Sequence, residues 1–183
     1  MPDKIVGKID KIPKESRLNE YLKTMVTLFE SFDADKFEEF LKKVFHDCVD
    51  FLVATGTQIP TTRIMFVYNS DQYVNMEKQC TLTAISKEIA KGPSTAFVIR
   101  RATLNKIYVN VGYLIENINL GYPSFILNLV NAYTHEILHI AFPNKSEQEI
   151  HDLEFETVEK FLGINLPIEF KRLKASDYYR RRE

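Results

Sequence analysis

Three of the four histidines of this chain lie within the stretch AYTHEILHIAFPNKSEQEIHDLE, residues 132–154. His135, Glu136 and His139 form the pattern HExxH. On a helix, residues four positions apart lie on one face, so the two imidazoles can bind one ion. The carboxylate of Glu136 can then take a proton from water on that ion. Because zinc accepts neutral imidazole nitrogens, the pattern predicts a catalytic zinc site.

A catalytic zinc site needs a third protein ligand, and the next predicted helix, about 147–163, offers several. At 100° per residue, Glu147, His151 and Glu154 fall within the arc of about 120° that holds its apolar residues. The short connection makes the two helices antiparallel, which places His151 level with the midpoint of the motif histidines. Glu147 then lies nearer the loop, and Glu154 lies one turn deeper. The other acidic residues fall outside the arc: Glu149, Asp152, Glu156 and Glu159.

We therefore expect His151 as the third ligand and keep Glu154 as the alternative. Whichever of the two does not bind the metal is expected to orient a ligating imidazole through its free N–H.

The motif must lie on a helix for this chemistry to work. The apolar segments ILNLVNAY before it and ILHIAF after it predict a helix over about 123–142. Pro123 lies near the start of that helix, and Pro143 ends it. Ser146 and Glu149 then form a capping box for the ligand helix.

Upstream of the motif, helical spacing predicts a pair of helices over about 17–31 and 36–54. Asp35 is the expected N-cap of the second helix, and Glu38 completes its capping box. Gly56 ends the pair.

Strand composition follows in RIMFVY (63–68), TAFVIRR (95–101) and KIYVNVGY (106–113), the last two forming a predicted hairpin. Residues 80–91 are ambiguous, with helical spacing around TAISKEIAK. This order predicts an α+β fold in which a small, mostly antiparallel sheet packs on the active-site helix and the ligand helix. We divide the chain into an N-terminal arm and helical pair (1–56), a catalytic domain (57–163) and a tail (164–183).

Composition narrows the classes of function. The chain has 183 residues and a formal net charge of −1, which argues against a specific nucleic-acid binder. Cys48 and Cys80 lack CxxC spacing, and residues 1–16 contain no apolar signal region. No apolar run is long enough for a membrane span, so we expect a cytoplasmic protein. A composition rich in Lys, Glu and Ile with few Gln is typical of thermophiles.

HExxH followed by a ligand on a separate downstream helix resembles the gluzincin group of zinc metallopeptidases. Metzincins instead carry a glycine and a third histidine close behind the motif, and HIAFPNK lacks that pattern. Most gluzincins use Glu as third ligand, so His151 in so compact a domain resembles the minigluzincins of thermophilic prokaryotes. The resemblance covers residues 57–163, is carried by 134–151, and does not account for 16–55.

The resemblance implies that His135, His139 and His151 bind zinc, with Glu136 as general base. The substrate would be a peptide or an unfolded protein, and strand 106–113 would be the edge strand that pairs with it. The family includes zymogens, so the tail 164–183 is expected to cover the cleft in a latent form. The sequence is also compatible with an oligomer.

Two other hypotheses stay open. The chain could be a catalytically silent, zinc-stabilised scaffold that binds another protein, in which case Glu136 would have no role. It could also bind nucleic acid through residues 171–183, where six basic and two acidic side chains give a net charge of +4.

Overall fold

The computed structural model of the chain describes residues 12–69, 71–72, 75, 96–99, 104–116, 118, 121–168 and 170–171. Within these ranges the helices are α1 (Arg17–Glu30), α2 (Ala34–Ala54), α3 (Val111–Glu116), α4 (Tyr122–Ala141) and α5 (Glu147–Leu162). The strands are β1 (Thr62–Val67), β2 (Ala96–Ile99) and β3 (Asn105–Asn110). The predicted α+β class is confirmed. Residues 80–91 and Cys80 lie outside the described part of the chain.

The sheet has the strand order β1-β3-β2. β2 and β3 pair in antiparallel fashion, from Ala96 opposite Val109 to Ile99 opposite Lys106, which confirms the hairpin. β1 pairs with β3 in parallel over six residue pairs, so the prediction of a mostly antiparallel sheet is wrong. The prediction that strand 106–113 lies at an edge is also wrong, because β3 has a strand on each side. Alternation identifies strands and adjacent hairpins, but it does not encode where a more distant strand docks.

β3 is shorter than the predicted strand because its last residue starts a helix. The side chain of Asn110 accepts a hydrogen bond from the backbone N–H of Tyr113 at 3.1 Å. Such a bond stabilises a helix start and competes with continued strand pairing. The chain therefore turns into α3 at Val111.

The helical pair forms as predicted, with one corrected cap. Ser16 caps α1 through its side chain, which accepts from the N–H of Asn19 at 3.2 Å. The N-cap of α2 is Asp33, which accepts from the N–H groups of Asp35 and Lys36, so the prediction of Asp35 was wrong. Both aspartates fit the cap preference, but capping by Asp33 satisfies two orphan backbone donors at once.

Helix α4 is the centre of the packing. Its side chains are buried on nearly every face, and α1, α2, α5 and β2 lie against it. Tyr133 donates a hydrogen bond to the Leu41 carbonyl at 3.0 Å, which connects α4 to α2. The helical pair thus shields the motif helix from solvent. None of the described helices, α4 included, is long and apolar enough to cross a membrane.

A tight turn joins α4 to the ligand helix. Phe142 closes α4 with a hydrogen bond from its N–H to the Leu138 carbonyl at 2.8 Å. The capping box predicted for α5 is confirmed: Ser146 accepts from the N–H of Glu149, whose side chain accepts from the N–H of Ser146. Helix α5 ends at Gly163, whose φ of 71° suits a glycine.

The first part of the predicted tail belongs to the core. Ile164, Leu166 and Phe170 are buried, and Lys171 pairs with Glu159 of α5. Residues 172–183 lie outside the described part of the chain. The described segment therefore packs beside the last turns of α5.

Candidate metal centre

Helix α4 places the two motif histidines one above the other, as the spacing predicts. The Nε2 atoms of His135 and His139 are 3.0 Å apart. Two nitrogens bound to one zinc at 2.0–2.1 Å with tetrahedral angles would be about 3.3 Å apart. The side chains are 20 % and 12 % exposed, so both rings are largely shielded from solvent. The two imidazoles need only a small adjustment to bind one ion.

The turn between the helices brings His151 of α5 to this pair. The ring centroids of His135 and His151 are 5.1 Å apart. One donor atom each from His135, Glu147 and His151 lies within 4.8 Å of the others. His151 therefore lies beside His135 and Glu147, on the face of α5 that helix geometry predicts, while His139 contacts His135 and Glu147.

Glu154 contacts the far side of two of these rings. Its Oε2 atom lies 2.9 Å from His135 Nδ1 and 3.0 Å from His151 Nδ1. Burial raises the pKa of this carboxyl, but the two histidines lower it by a larger amount, so the pKa lies below its usual range. Glu154 is therefore ionised and accepts hydrogen bonds. An Nδ1–H donated to a carboxylate leaves Nε2 for a metal. Of the two residues weighed as third ligand, the geometry favours His151, with Glu154 as its orienting partner.

Glu147 is the site residue whose importance the sequence did not reveal. Its Oε1 atom lies 3.0 Å from His139 Nε2, and its Oε2 atom lies 3.5 Å from His135 Nε2. Burial raises the pKa of Glu147, but the hydrogen bond and charge of His139 lower it by a larger amount, so the pKa lies below its usual range. The sequence feature that could have identified Glu147 as a site residue was its position within the apolar arc of α5. Helix geometry placed it nearer the loop, which is where α4 presents His139.

Glu136, the predicted general base, is buried on α4 with an exposure of 9 %. Burial raises its pKa, whereas the positive charge of protonated His135 or His139 would lower it. Burial is the larger effect, so the pKa of the Glu136 carboxyl lies above its usual range. A carboxylate in this setting can exchange protons with a group held between the imidazoles.

The charge of the cluster favours a cation. Two carboxylates, Glu147 and Glu154, lie against the imidazoles, and the pKa of each is below its usual range, so both are ionised. Burial lowers the pKa of His135, but Glu154, Glu136 and Glu147 raise it to about 9. With one proton on His135, this ring and the two ionised carboxylates carry a net charge of −1. Because buried net charge is costly, a divalent cation fits, and the nitrogen and oxygen donors are those that zinc accepts.

The other residues considered from the sequence lie elsewhere. His46 is exposed on α2, as expected for a surface histidine. Cys48 is 2 % exposed and belongs to the core, as expected for an apolar helix face.

Comparisons of the chain with protein-family models, with curated proteins and with solved structures found no match. The resemblance to minigluzincins therefore rests on the motif, the downstream histidine and the order of the elements.

Proposed function

We propose that this chain is a zinc-dependent metallopeptidase. The observation that carries the proposal is the cluster in which donor atoms of His135, Glu147 and His151 lie within 4.8 Å of one another. His139 Nε2 lies 3.0 Å from His135 Nε2, and Glu136, the residue after His135, is buried on the same helix. A structural zinc site needs no such carboxylate, whereas a hydrolase needs a base next to the metal.

Each side chain of the site has a distinct role in the proposed mechanism. The three histidines would hold the ion, and Glu154 would keep the His135 and His151 rings turned toward it. When bound, zinc supplies a water of lowered pKa and polarises the scissile carbonyl. Glu136 takes the proton of the attacking water and passes it to the leaving amine.

The substrate in this proposal is a peptide or an unfolded protein segment. β3 is central, so substrate pairing passes to an outer strand. β2 is the better candidate because it lies against α4, the helix that carries the motif. An extended peptide would add its backbone to the edge of β2 that is opposite β3, where the structure describes no further strand.

The first test is the zinc content of purified protein, measured by mass spectrometry. We expect about one zinc per chain in the wild type, since the described residues contain one such cluster, and much less in His151→Ala. His46→Ala removes an exposed histidine and is the matched control, which should keep its zinc. Loss in Glu154→Ala but not in His151→Ala would instead make Glu154 the third ligand.

The second test separates catalysis from metal binding. Glu136→Ala and Glu136→Gln should keep zinc and lose hydrolysis of a fluorogenic peptide library, because only the proton transfer is removed. Hydrolysis that persists at the wild-type rate in both variants would exclude Glu136 as the base. A zinc-loaded wild type without hydrolysis of any peptide or unfolded protein would reject the peptidase function.

One observation favours a second function, a zinc-stabilised scaffold that binds another protein. The carboxylate of Glu147 gives the site a fourth protein donor, 3.0 Å from His139 Nε2. Four protein ligands are typical of structural zinc sites. The scaffold hypothesis predicts that zinc removal unfolds the chain while Glu136→Ala changes nothing.

A further inference from the structure

We propose that Glu147 is a fourth ligand that closes the metal site in the resting protein and must swing out before a substrate can be hydrolysed. The inference rests on the zinc site of the proposed function and adds its regulation.

The first argument is distance. Each carboxylate oxygen of Glu147 lies near one motif imidazole, at 3.0 Å from His139 Nε2 and 3.5 Å from His135 Nε2. These two values bracket the separation of about 3.3 Å expected between tetrahedral zinc ligands. The carboxylate therefore occupies the place of a ligand beside both nitrogens. Glu147 also belongs to the group with His135 and His151 whose donor atoms lie within 4.8 Å of one another, so it connects His139 to the rest of the cluster.

The second argument is an unsatisfied acceptor. Oε2 of Glu147 is shielded from solvent and accepts no hydrogen bond from the described part of the chain. A buried acceptor without a partner is costly, and a bound cation would satisfy it. His135 Nε2 lies 3.5 Å from this oxygen, and Glu154 holds the Nδ1 atom of the same ring.

The third argument is position. Glu147 is the first residue of α5, and its backbone is anchored by the capping box of Ser146 and Glu149. Its side chain is 29 % exposed, compared with 20 %, 12 % and 10 % for His135, His139 and His151. It is thus the outermost member of the cluster. A fixed backbone with a long, half-open side chain can release the metal without unfolding the helix.

These features make Glu147 a gate. With the carboxylate bound, the ion has no open position for water, which hydrolysis requires. Removal of the carboxylate should weaken metal binding and, at the same time, raise hydrolysis per bound metal. Removal of a residue with a merely structural role would not weaken metal binding and raise hydrolysis per bound metal at the same time.

The experiment compares Glu147→Gln with Asp152→Asn. Asp152 is exposed on the same helix and carries the same charge, so it controls for net charge. Zinc affinity is measured by competition with a chelator, and the cobalt-substituted proteins are compared by visible absorption. We expect at least a tenfold loss of affinity and a changed cobalt spectrum for Glu147→Gln only, with several-fold higher peptide hydrolysis per bound zinc.

Unchanged affinity and an unchanged cobalt spectrum in Glu147→Gln would overturn the proposal, even if the protein hydrolyses peptides. If affinity and spectrum change but neither protein hydrolyses any peptide, Glu147 is a ligand of a structural site, and the gate and the peptidase function both fail. Glu147→Asp keeps the charge and the helix start but shortens the reach. It should resemble Glu147→Gln in its spectrum, whereas a wild-type spectrum would contradict direct ligation.

Discussion

The buried carboxylate of Glu154, 1 % exposed, accepts a hydrogen bond from His135 Nδ1 at 2.9 Å. The same oxygen lies 3.0 Å from His151 Nδ1 on the neighbouring turn. One anion thus orients two imidazoles that come from different helices. Carboxylates in this position fix the ring tautomer and strengthen the metal ligand.

Glu154→Gln should therefore lower zinc affinity by about 10- to 100-fold, the usual effect of removing such a partner. The amide cannot offer a charged acceptor to two Nδ1–H groups. The measurement is competition with a chelator of known affinity. Glu156→Gln is the control, since Glu156 is exposed on the same helix and pairs only with Lys160 among its described contacts. Equal losses in the two variants would point to helix charge instead of ring orientation.

Zinc binding should release a proton and weaken as the pH falls. The pKa of His135 in the metal-free cluster is about 9, so this ring carries a proton at neutral pH that the metal must displace. Affinity should fall about tenfold per pH unit between pH 8.5 and 7. Titration calorimetry in buffers of different ionisation enthalpy checks this, with about one proton released per zinc at pH 7.5. Binding that is independent of pH in this window would show that His135 is neutral in the metal-free protein.

Tyr133→Phe should reduce the free energy of unfolding by about 1 kcal/mol, the usual cost of one lost hydrogen bond. The hydroxyl donates to the Leu41 carbonyl at 3.0 Å in the interior between α4 and α2. Denaturant unfolding measures the change, and zinc content should stay the same. Tyr122→Phe is the matched control on α4, because the Tyr122 ring stacks on Phe29 and its hydroxyl has no hydrogen bond to the described residues. Similar losses in both variants would exclude the Tyr133 bond as the cause.

Removal of residues 172–183 should raise peptide hydrolysis without lowering stability, if the end of the chain keeps the enzyme latent. The cut must fall after Lys171, because Ile164, Leu166 and Phe170 are buried in the core. Deletion of 164–183 should instead lower the melting temperature by many degrees, since several kcal/mol of apolar burial are lost. Activity that is unchanged in the stable, shorter truncation would exclude a latent role for residues 172–183.

The sequence predicted the helices and their connection more accurately than the sheet. Apolar periodicity located α4 and α5, and the capping box at Ser146 set the start of α5. These signals are local, because they depend on residues within one or two turns. The cap of α2 shows their limit, since Asp33 and Asp35 have the same preference and only the folded helix start distinguishes them.

The sheet depends on contacts between distant parts of the chain. The hairpin of β2 and β3 was visible because five residues separate the two strands. The parallel docking of β1 on β3 was not, since it depends on the path of the chain between Val67 and Ala96. Because β1 docks on β3, β3 lies in the centre of the described sheet. The strand proposed to pair with a substrate is therefore a different one.

By itself, the sequence determined that His135, Glu136 and His139 share a helix and that His151 approaches His135 from the next one. Helix periodicity and a short antiparallel turn are sufficient for that inference. Only the tertiary structure decided which carboxylate touches which ring nitrogen. Glu154 reaches Nδ1 of His135 and Glu147 reaches the Nε2 side, because the rotation of α5 against α4 and the side-chain rotamers are set by packing. Residue spacing along one helix does not reveal the rotation of that helix against its neighbour or the rotamers of its side chains.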